Sequence, residues 1–283
     1  MFLFKKVSDL QSFIANWHLP DRKIGFVPTM GALHDGHLSL VRESLKETDC
    51  TVCSIFVNPT QFNDPADLEK YPRTPEKDIE LLINSGCHVL FMPDVREIYP
   101  PGQMHVPDFD FRQLDKRMEG AYRPGHFAGV AQVVWRLLDI VQPHYLFMGQ
   151  KDFQQAAIVQ AMLNQMHSKI NLVVCPTMRE ADGLAMSSRN VRLTEKQRTI
   201  APLIYQTLQE AKKKINSHLP AQIASDALRQ LTVPGMEPEY FEIIDGNTLD
   251  SVGLFENSDY VVACTAVRVG AVRLLDNLIL KQK

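Results

Sequence analysis

Ile24-Gly25-Phe26-Val27-Pro28-Thr29-Met30-Gly31-Ala32-Leu33-His34-Asp35-Gly36-His37-Leu38 carries the chain from an apolar run, Lys23–Val27, into an amphipathic helical pattern, Gly36–Lys46. A short apolar run followed at once by a helix is the repeating unit of a parallel sheet covered on both faces. In an open α/β sheet, ligands bind at the carboxyl ends of the strands, where such junctions lie. The helix start adds unpaired backbone N–H groups and the positive end of the helix dipole, a setting that suits phosphate. Gly31 and Gly36 let backbone approach a bulky anion, and the imidazoles of His34 and His37 can donate to phosphate oxygens. The same residues also fit a plainer role, with His34 capping the loop and His37 solvated in the first turn. Zinc fits less well, because no third ligand stands at a recognisable metal spacing.

The unit recurs. Apolar runs at Thr51–Val57, His88–Met92, Tyr145–Met148 and Leu172–Cys175 alternate with helical patterns at Pro75–Asn84, Phe127–Val141 and Phe153–Met166. The alternation predicts an α/β fold, a Rossmann-like, doubly wound parallel sheet. Between Pro93 and Gly125 it is interrupted by a stretch carrying Pro100, Pro101, Pro107 and Pro124. An irregular insertion of that length reads as a functional loop or a lid over substrate. Beyond about residue 176 the texture changes. Thr194 is a predicted N-cap with Gln197 in capping-box position, opening a helix to about Asn216. A second helix over Ala221–Leu231 precedes strands at Tyr240–Ile244, Tyr260–Val269 and Val272–Leu280, with turns at Gly246 and Gly270. The junction falls between Pro176 and Leu193, which divides the chain into a nucleotide-binding domain, 1–180, and a smaller C-terminal α+β domain, 181–283.

Whole-chain properties narrow the function classes. With 283 residues, 45% hydrophobic and 22% charged, the chain has the composition of a soluble globular protein of one large domain or two. A net charge of −3 argues against nucleic acid as a bulk partner but leaves room for a mononucleotide. No apolar stretch approaches membrane-spanning length, and the lysines at Lys5 and Lys6 come too early for a secretory leader, so a cytoplasmic location is expected. The five scattered cysteines do not suggest a disulfide framework. Cys50-Thr51-Val52-Cys53 has redox spacing, but it opens an apolar run where buried strand cysteines are expected.

Three further clusters sit at predicted strand ends. In Asn58-Pro59-Thr60-Gln61-Phe62 the amides suit the hydroxyl and carboxylate of a small substrate, although Asn58 equally suits a turn. In Gly149-Gln150-Lys151-Asp152-Phe153-Gln154-Gln155, Gly149 permits close approach. Lys151 opposes the helix dipole unless an anion joins it there. Asp152 reads either as an N-cap or as a carboxylate for Mg²⁺ held through phosphates. Met178-Arg179-Glu180 and Leu184-Ala185-Met186-Ser187-Ser188-Arg189-Asn190 combine hydroxyls and guanidinium in a short segment, either a solvated loop or a phosphate clamp able to close. Tyr122-Arg123-Pro124-Gly125-His126-Phe127 is basic and can face a carboxylate.

Taken together and in order, the segments 28–38, 56–62, 149–155 and 185–190 resemble the pantothenate synthetase family, a likeness that runs nearly the full length and includes Tyr122–Phe127. The resemblance implies a nucleotidyltransferase-superfamily ligase. It would join (R)-pantoate to β-alanine using ATP and Mg²⁺, through a pantoyl adenylate, with release of AMP and diphosphate. It also implies a homodimer. By the same resemblance, Met30, Gly31, Ala32, Leu33, His34, Asp35, Gly36 and His37 form an ATP-binding loop, with His37 the proton donor and His34 its phosphate-contacting companion. Gly149, Gln150, Lys151 and Asp152, together with Met186, Ser187, Ser188 and Arg189, match ATP-contacting segments. Lys151 joins the histidines as a catalytic residue, and Met178 meets adenine through its backbone. Gln61 and Gln155 match pantoate-binding glutamines, Gln61 also lying near β-alanine, and Asp152 meets the metal mainly through ATP phosphates. Gln150 stands where many relatives carry Glu. Two rival readings are a nucleotidyltransferase with a different acceptor and a non-catalytic nucleotide- or RNA-binding module.

Overall fold

The computed structural model describes residues 1–17, 21–102 and 107–283. Strands β1 (Phe2–Phe4), β2 (Ile24–Thr29), β3 (Cys50–Ile55), β4 (Val89–Phe91), β5 (Tyr145–Gly149) and β6 (Asn171–Cys175) form one sheet in the order β1-β4-β3-β2-β5-β6. Every pairing in it is parallel. The longer helices around it are α1 (Val7–Ala15), α2 (Asp35–Glu47), α4 (Pro75–Asn84), α7 (His126–Val141) and α8 (Phe153–Gln165); short α3 (Pro65–Glu69), α5 (Val95–Ile98) and α6 (Glu119–Tyr122) lie in the connections. The strands read as unbroken apolar runs because both faces are covered, one by a cluster around Phe26, Val52 and Leu138, the other by one around Val27, Cys53 and Leu82. The strand order reverses between β2 and β5. Successive strands run β2, β3, β4 to one side, and β5, β6 to the other, so the crevice at the carboxyl ends of β2 and β5 is the switch point.

The second unit holds α9 (Glu195–Ile200), α10 (Leu203–Lys214), α11 (Pro220–Leu231) and an antiparallel sheet of β7 (Met236–Asp245), β8 (Tyr260–Val269) and β9 (Val272–Gln282). Alternation along β8 explains its place: Val261, Ala263, Val267 and Val269 pack on the helices, while Val262, Cys264 and Ala266 pack with Met118 and Phe153 of the first unit. The C-terminal sheet is therefore buried on both faces and forms one wall against the larger sheet.

Three sequence expectations change. The helix opened by Thr194 has its capping box with Gln197 but stops at Ile200, and α10 begins at Leu203. Pro202 has no N–H to donate to the preceding turn, whereas Ala201, Ile204 and Leu208 continue one apolar stripe across the break and conceal it in the sequence. β1 and α1 are additional elements. β1 is short and half exposed, and it is a strand because it pairs with β4. The insertion from Pro93 is no free lid over its later part. Phe111 and Met118 are buried, and Gln154 Nε2 donates to the Leu114 and Arg117 carbonyls at 2.6 and 2.8 Å. Gln103–Val106 of that insertion lie outside the described residues. All five cysteines are free and buried, Cys50 and Cys53 within β3.

Candidate active site

A cavity of about 560 Å³ opens at the switch point, between the carboxyl ends of the parallel strands and the C-terminal sheet. From β2 the chain enters a tight bend, with Gly31 at φ +80° and Ala32 at φ +48°, before α2 begins. His34 is the N-cap of α2, and its Nδ1 accepts the Gly36 N–H at 3.1 Å; His37 Nδ1 accepts the His34 N–H at 3.4 Å. Gly36 must be glycine for space, since a Cβ there would stand 2.8 Å from the His34 ring. The two rings lie 4.1 Å apart, centroid to centroid. Burial, reinforced by Lys151, lowers His34 to a pKa of about 4; burial, His34 and Lys151 lower His37 to about 3. Both rings are neutral at pH 7, and an accepting Nδ1 leaves the single ring proton on Nε2. The pair is thus two neutral N–H donors beside a helix N-terminus.

From β5 come Gly149 and a 3-10 turn, Gln150–Asp152. Lys151 Nζ lies 3.0 Å from Asp152 Oδ1, and the Asp152 side chain does not cap α8. Burial opposes ionisation of Asp152, but Lys151 and then Arg189 outweigh it and hold the carboxyl below its ordinary range. The turn is fixed from the other unit. Asn277 Nδ2 donates to the carbonyls of Gln150 and Lys151, both at 2.9 Å, and its Oδ1 accepts Gln150 Nε2 at 3.1 Å. Sequence reading missed Asn277, and no signal within β9 marks it, because its partners lie 126 and 127 positions away.

Gln61, from the turn after β3, and Gln155, in the first turn of α8, both line the cavity. Asn58, buried, takes the structural of its two expected roles: its Oδ1 accepts Tyr99 Oη at 2.8 Å and its Nδ2 donates to the Gly129 carbonyl at 3.2 Å and to Gln61 Oε1 at 3.3 Å. Arg123 and His126 do not simply face an open carboxylate site. His126 Nδ1 and Arg123 Nη2 both donate to the Gln61 carbonyl, at 2.8 and 3.2 Å, and Arg123 Nη1 donates to His126 Nε2 at 3.1 Å. Burial, then Arg123, lowers His126 to a pKa of about 4, consistent with a neutral ring protonated on Nδ1. Behind them Glu119 is fully engaged, accepting Tyr240 Oη at 2.8 Å and both ends of the Arg273 guanidinium at 2.6 and 2.7 Å.

The interdomain segment completes the rim. Ser187 caps a 3-10 turn over Ser188–Arg192, and Ser188 Oγ donates to the Ala32 carbonyl at 2.9 Å. Arg189 and Arg192 each meet Asp67 of α3, at 2.8 Å. Met30, His34, Gly36, His37, Gln61, Gly149, Lys151, Asp152, Gln155, Met178, Met186, Ser187, Ser188 and Arg189 all line the cavity. Of the other expected site residues, Leu33 is in the core, Asp35 is exposed, Gly31 and Ala32 form the bend, and Gln150 faces Asn277.

The family model for pantoate-β-alanine ligase matches residues 2–279. The chain belongs to this family. Curated relatives include the pantothenate synthetase of Bacteroides thetaiotaomicron, 47% identical over 285 residues and covering all of both chains. That of Porphyromonas gingivalis is 46% identical over 279 residues, 98% of this chain and 99% of the relative. Among solved structures, pantothenate synthetase from Thermus thermophilus superposes with a TM-score of 0.92 at 37% identity, covering 99% of this chain and 100% of that one. The pantoate-β-alanine ligase of Francisella tularensis, determined with β,γ ATP and β-alanine, gives 0.82 at 34% identity over 99% and 98% of the two chains. As a pantoate–β-alanine ligase the chain is an amide-forming enzyme that makes pantothenate. No helix among the described residues is long and apolar enough to cross a membrane.

Proposed function

We propose that this ligase activates (R)-pantoate with ATP as an acyl adenylate and then transfers the pantoyl group to β-alanine. A carboxylate is a poor acyl donor until its oxygen becomes a good leaving group. The pantoate carboxylate attacks the α-phosphorus of ATP, and the bond to the β-phosphate oxygen breaks with release of diphosphate. The β-alanine amine then attacks the acyl carbon, loses a proton and expels AMP. What supports this reading is the pairing, in one cavity, of donors suited to phosphate with an amide-bearing wall suited to a small hydroxy acid.

In this reading Nε2–H of His34 and of His37, the N-terminus of α2 and Lys151 receive the charge that builds on the phosphates. Because both rings are neutral, His37 serves as a hydrogen-bond donor rather than as an imidazolium acid. Gln61 and Gln155 orient pantoate, with Arg123 and His126 fixing Gln61 through its carbonyl. Arg189 and Ser187 close on the phosphates, and Met178 and Met186 border the base. Mg²⁺ fits as a companion of ATP. Among the described residues no three His, Cys, Asp or Glu side chains converge on a metal site; Asp152, beside Lys151 in the cavity, is the carboxylate that would face an ion held mainly through ATP phosphates. When bound it supplies neutralisation of phosphate charge. The proposal includes a cytoplasmic homodimer and a domain division at residues 180 and 181; sedimentation of the purified chain tests the dimer.

The deciding experiment is diphosphate release with Mg-ATP and (R)-pantoate, with and without β-alanine. A stoichiometric burst without β-alanine that becomes turnover when it is added is the expected result. Silence from folded protein under both conditions would sink the proposal.

A further inference from the structure

The bend at Gly31 and Ala32 aims both histidines; the Gly31 N–H donates to Thr29 Oγ1 at 3.2 Å, but that local bond does not reach Ala32. A non-glycine residue at φ +48° is uncommon, since its Cβ crowds the carbonyl, and such residues persist only where the surroundings over-determine them. Successive N–H groups in a left-handed bend form a small concavity that attracts an anion. Here the anion belongs to the protein. Asp78, 1% exposed in the first turn of α4, accepts the Ala32 N–H on Oδ2 at 2.9 Å and the Leu33 N–H on Oδ1 at 2.8 Å. Thr74 Oγ1 donates to the same Oδ1 at 3.1 Å. A Cβ on Gly31 would stand 3.1 Å from Oδ2, so carboxylate and bend fit closely. Ala32 is held at its other end as well, its carbonyl accepting Ser188 Oγ at 2.9 Å.

We propose that Asp78 is a positioning residue for this reaction: its buried carboxylate fills the concavity of the bend, locks Ala32 in its left-handed conformation and thereby sets the direction of the His34 and His37 donors. Through the same residue it sets the seat of Ser188. The inference rests on the proposed use of the histidines. A carboxylate that served α4 alone would have no need to reach the N–H groups of Ala32 and Leu33, which lie 46 and 45 positions earlier in the chain.

The test compares wild type with Asp78→Asn, which keeps the shape but turns an NH₂ toward a backbone N–H. Expected is a fall in kcat for diphosphate release of ~10- to 100-fold, in line with catalytic geometry displaced by about 1 Å. KM for pantoate should stay within about twofold, because no hydrogen bond joins Asp78 to Gln61 or Gln155. Adding Ala32→Gly, which makes φ > 0 free of steric cost, should recover part of the lost kcat. A group that only stabilised α4 would gain nothing from that glycine. Histidine imidazole NMR shifts of His34 and His37 should move in Asp78→Asn without substrate, a readout that survives even if the proposed reaction is wrong. If Asp78→Asn does not fold, Thr74→Val, which removes one bond to the same oxygen, should lower kcat by about two- to fivefold and shift the same resonances. Unchanged kcat and unchanged histidine shifts in the folded variant overturn the proposal, as does a lowered kcat in folded Asp78→Asn that Ala32→Gly does not raise.

Discussion

Two loops border the cavity, and they are built on different plans. The bend after β2 is fixed by buried hydrogen bonds to a carboxylate and by two rings that fold back on their own helix N-terminus. The segment 187–192 is anchored by Ser188 and Asn190 on backbone carbonyls, but its guanidinium groups are held by ion pairs from Arg189 and Arg192 to Asp67, whose side chains are all about one quarter exposed. Burial opposes ionisation of Asp67, but Arg189 and Arg192 outweigh it and hold the carboxyl below its usual range. Buried bonds in a tight bend define one geometry, and removing one leaves an unsatisfied group. Partly exposed ion pairs contribute little net stability and exchange readily for another anion. On the proposed function, the first loop is pre-organised for charge developing in the transition state, and the second would trade Asp67 for phosphate when a nucleotide enters.

The sharpest way to break the comparison is to remove donors from the fixed side. His37→Ala and Lys151→Ala should each lower kcat by ~10²–10³-fold, the usual effect of losing one pre-organised donor, while thermal unfolding shows a folded protein. Wild-type rates in His37→Ala would deny the fixed loop its role, and in Lys151→Ala would deny the turn after β5 its own. Next in size is Asn277→Ala, which leaves the carbonyls of Gln150 and Lys151 without their donor. It should cost about 1–3 kcal/mol in denaturant unfolding and lower kcat, with a smaller change in KM for pantoate.

Smaller still is Asp67→Asn on the displaceable side. Freed of its anion, Arg189 should bind phosphate more readily, so ATP affinity by calorimetry should tighten by about two- to fivefold, the scale of a partly exposed ion pair. Weaker ATP binding would mean that Asp67 supports the site rather than competing for it. The last effect concerns protons. The folded pKa values of His34 and His37, about 4 and 3, lie below the ordinary 6.5, so between those limits the unfolded chain binds more protons than the folded one. Stability accordingly falls as pH drops from about 6.5 toward 4. Imidazole NMR of the free protein should show neither ring titrating between pH 6 and 8; a midpoint in that interval would restore an imidazolium to the mechanism.

Much of this was legible in residue order. The junctions after β2 and β5 were readable because apolar run, glycine and polar cluster follow one another within a dozen positions, and that after β3 because an apolar run passes straight into Asn58-Pro59-Thr60-Gln61. Gln61 and Gln155 were visible as amides at predicted strand ends, but only the family resemblance, and no feature of residue type or spacing, set Gln155 apart from its neighbour Gln154. In the structure Gln154 holds the Leu114 and Arg117 carbonyls and accepts the Glu119 N–H at 3.0 Å, whereas Gln155 forms no such tie. Both border the cavity, and the difference is that the amide of Gln154 is spent on the backbone of the insertion. Asp78 carries no mark in the sequence beyond its place in the first turn of α4, a position the helix dipole favours for any acidic residue.

The amino-acid sequence by itself determined the parallel α/β class, the two-part organisation of its texture, the order of the motifs and the kinds of donor each supplies. Those properties depend on periodicity and on neighbours in the chain, so they survive without a fold. Tertiary structure alone decided the strand order and its switch point, the protonation of the histidines and the supports that reach the site from afar, Asp78 from α4, Asn277 from β9 and Asp67 from α3. Each of those follows from burial and from contacts between residues far apart in the chain, and both exist only once the chain has folded.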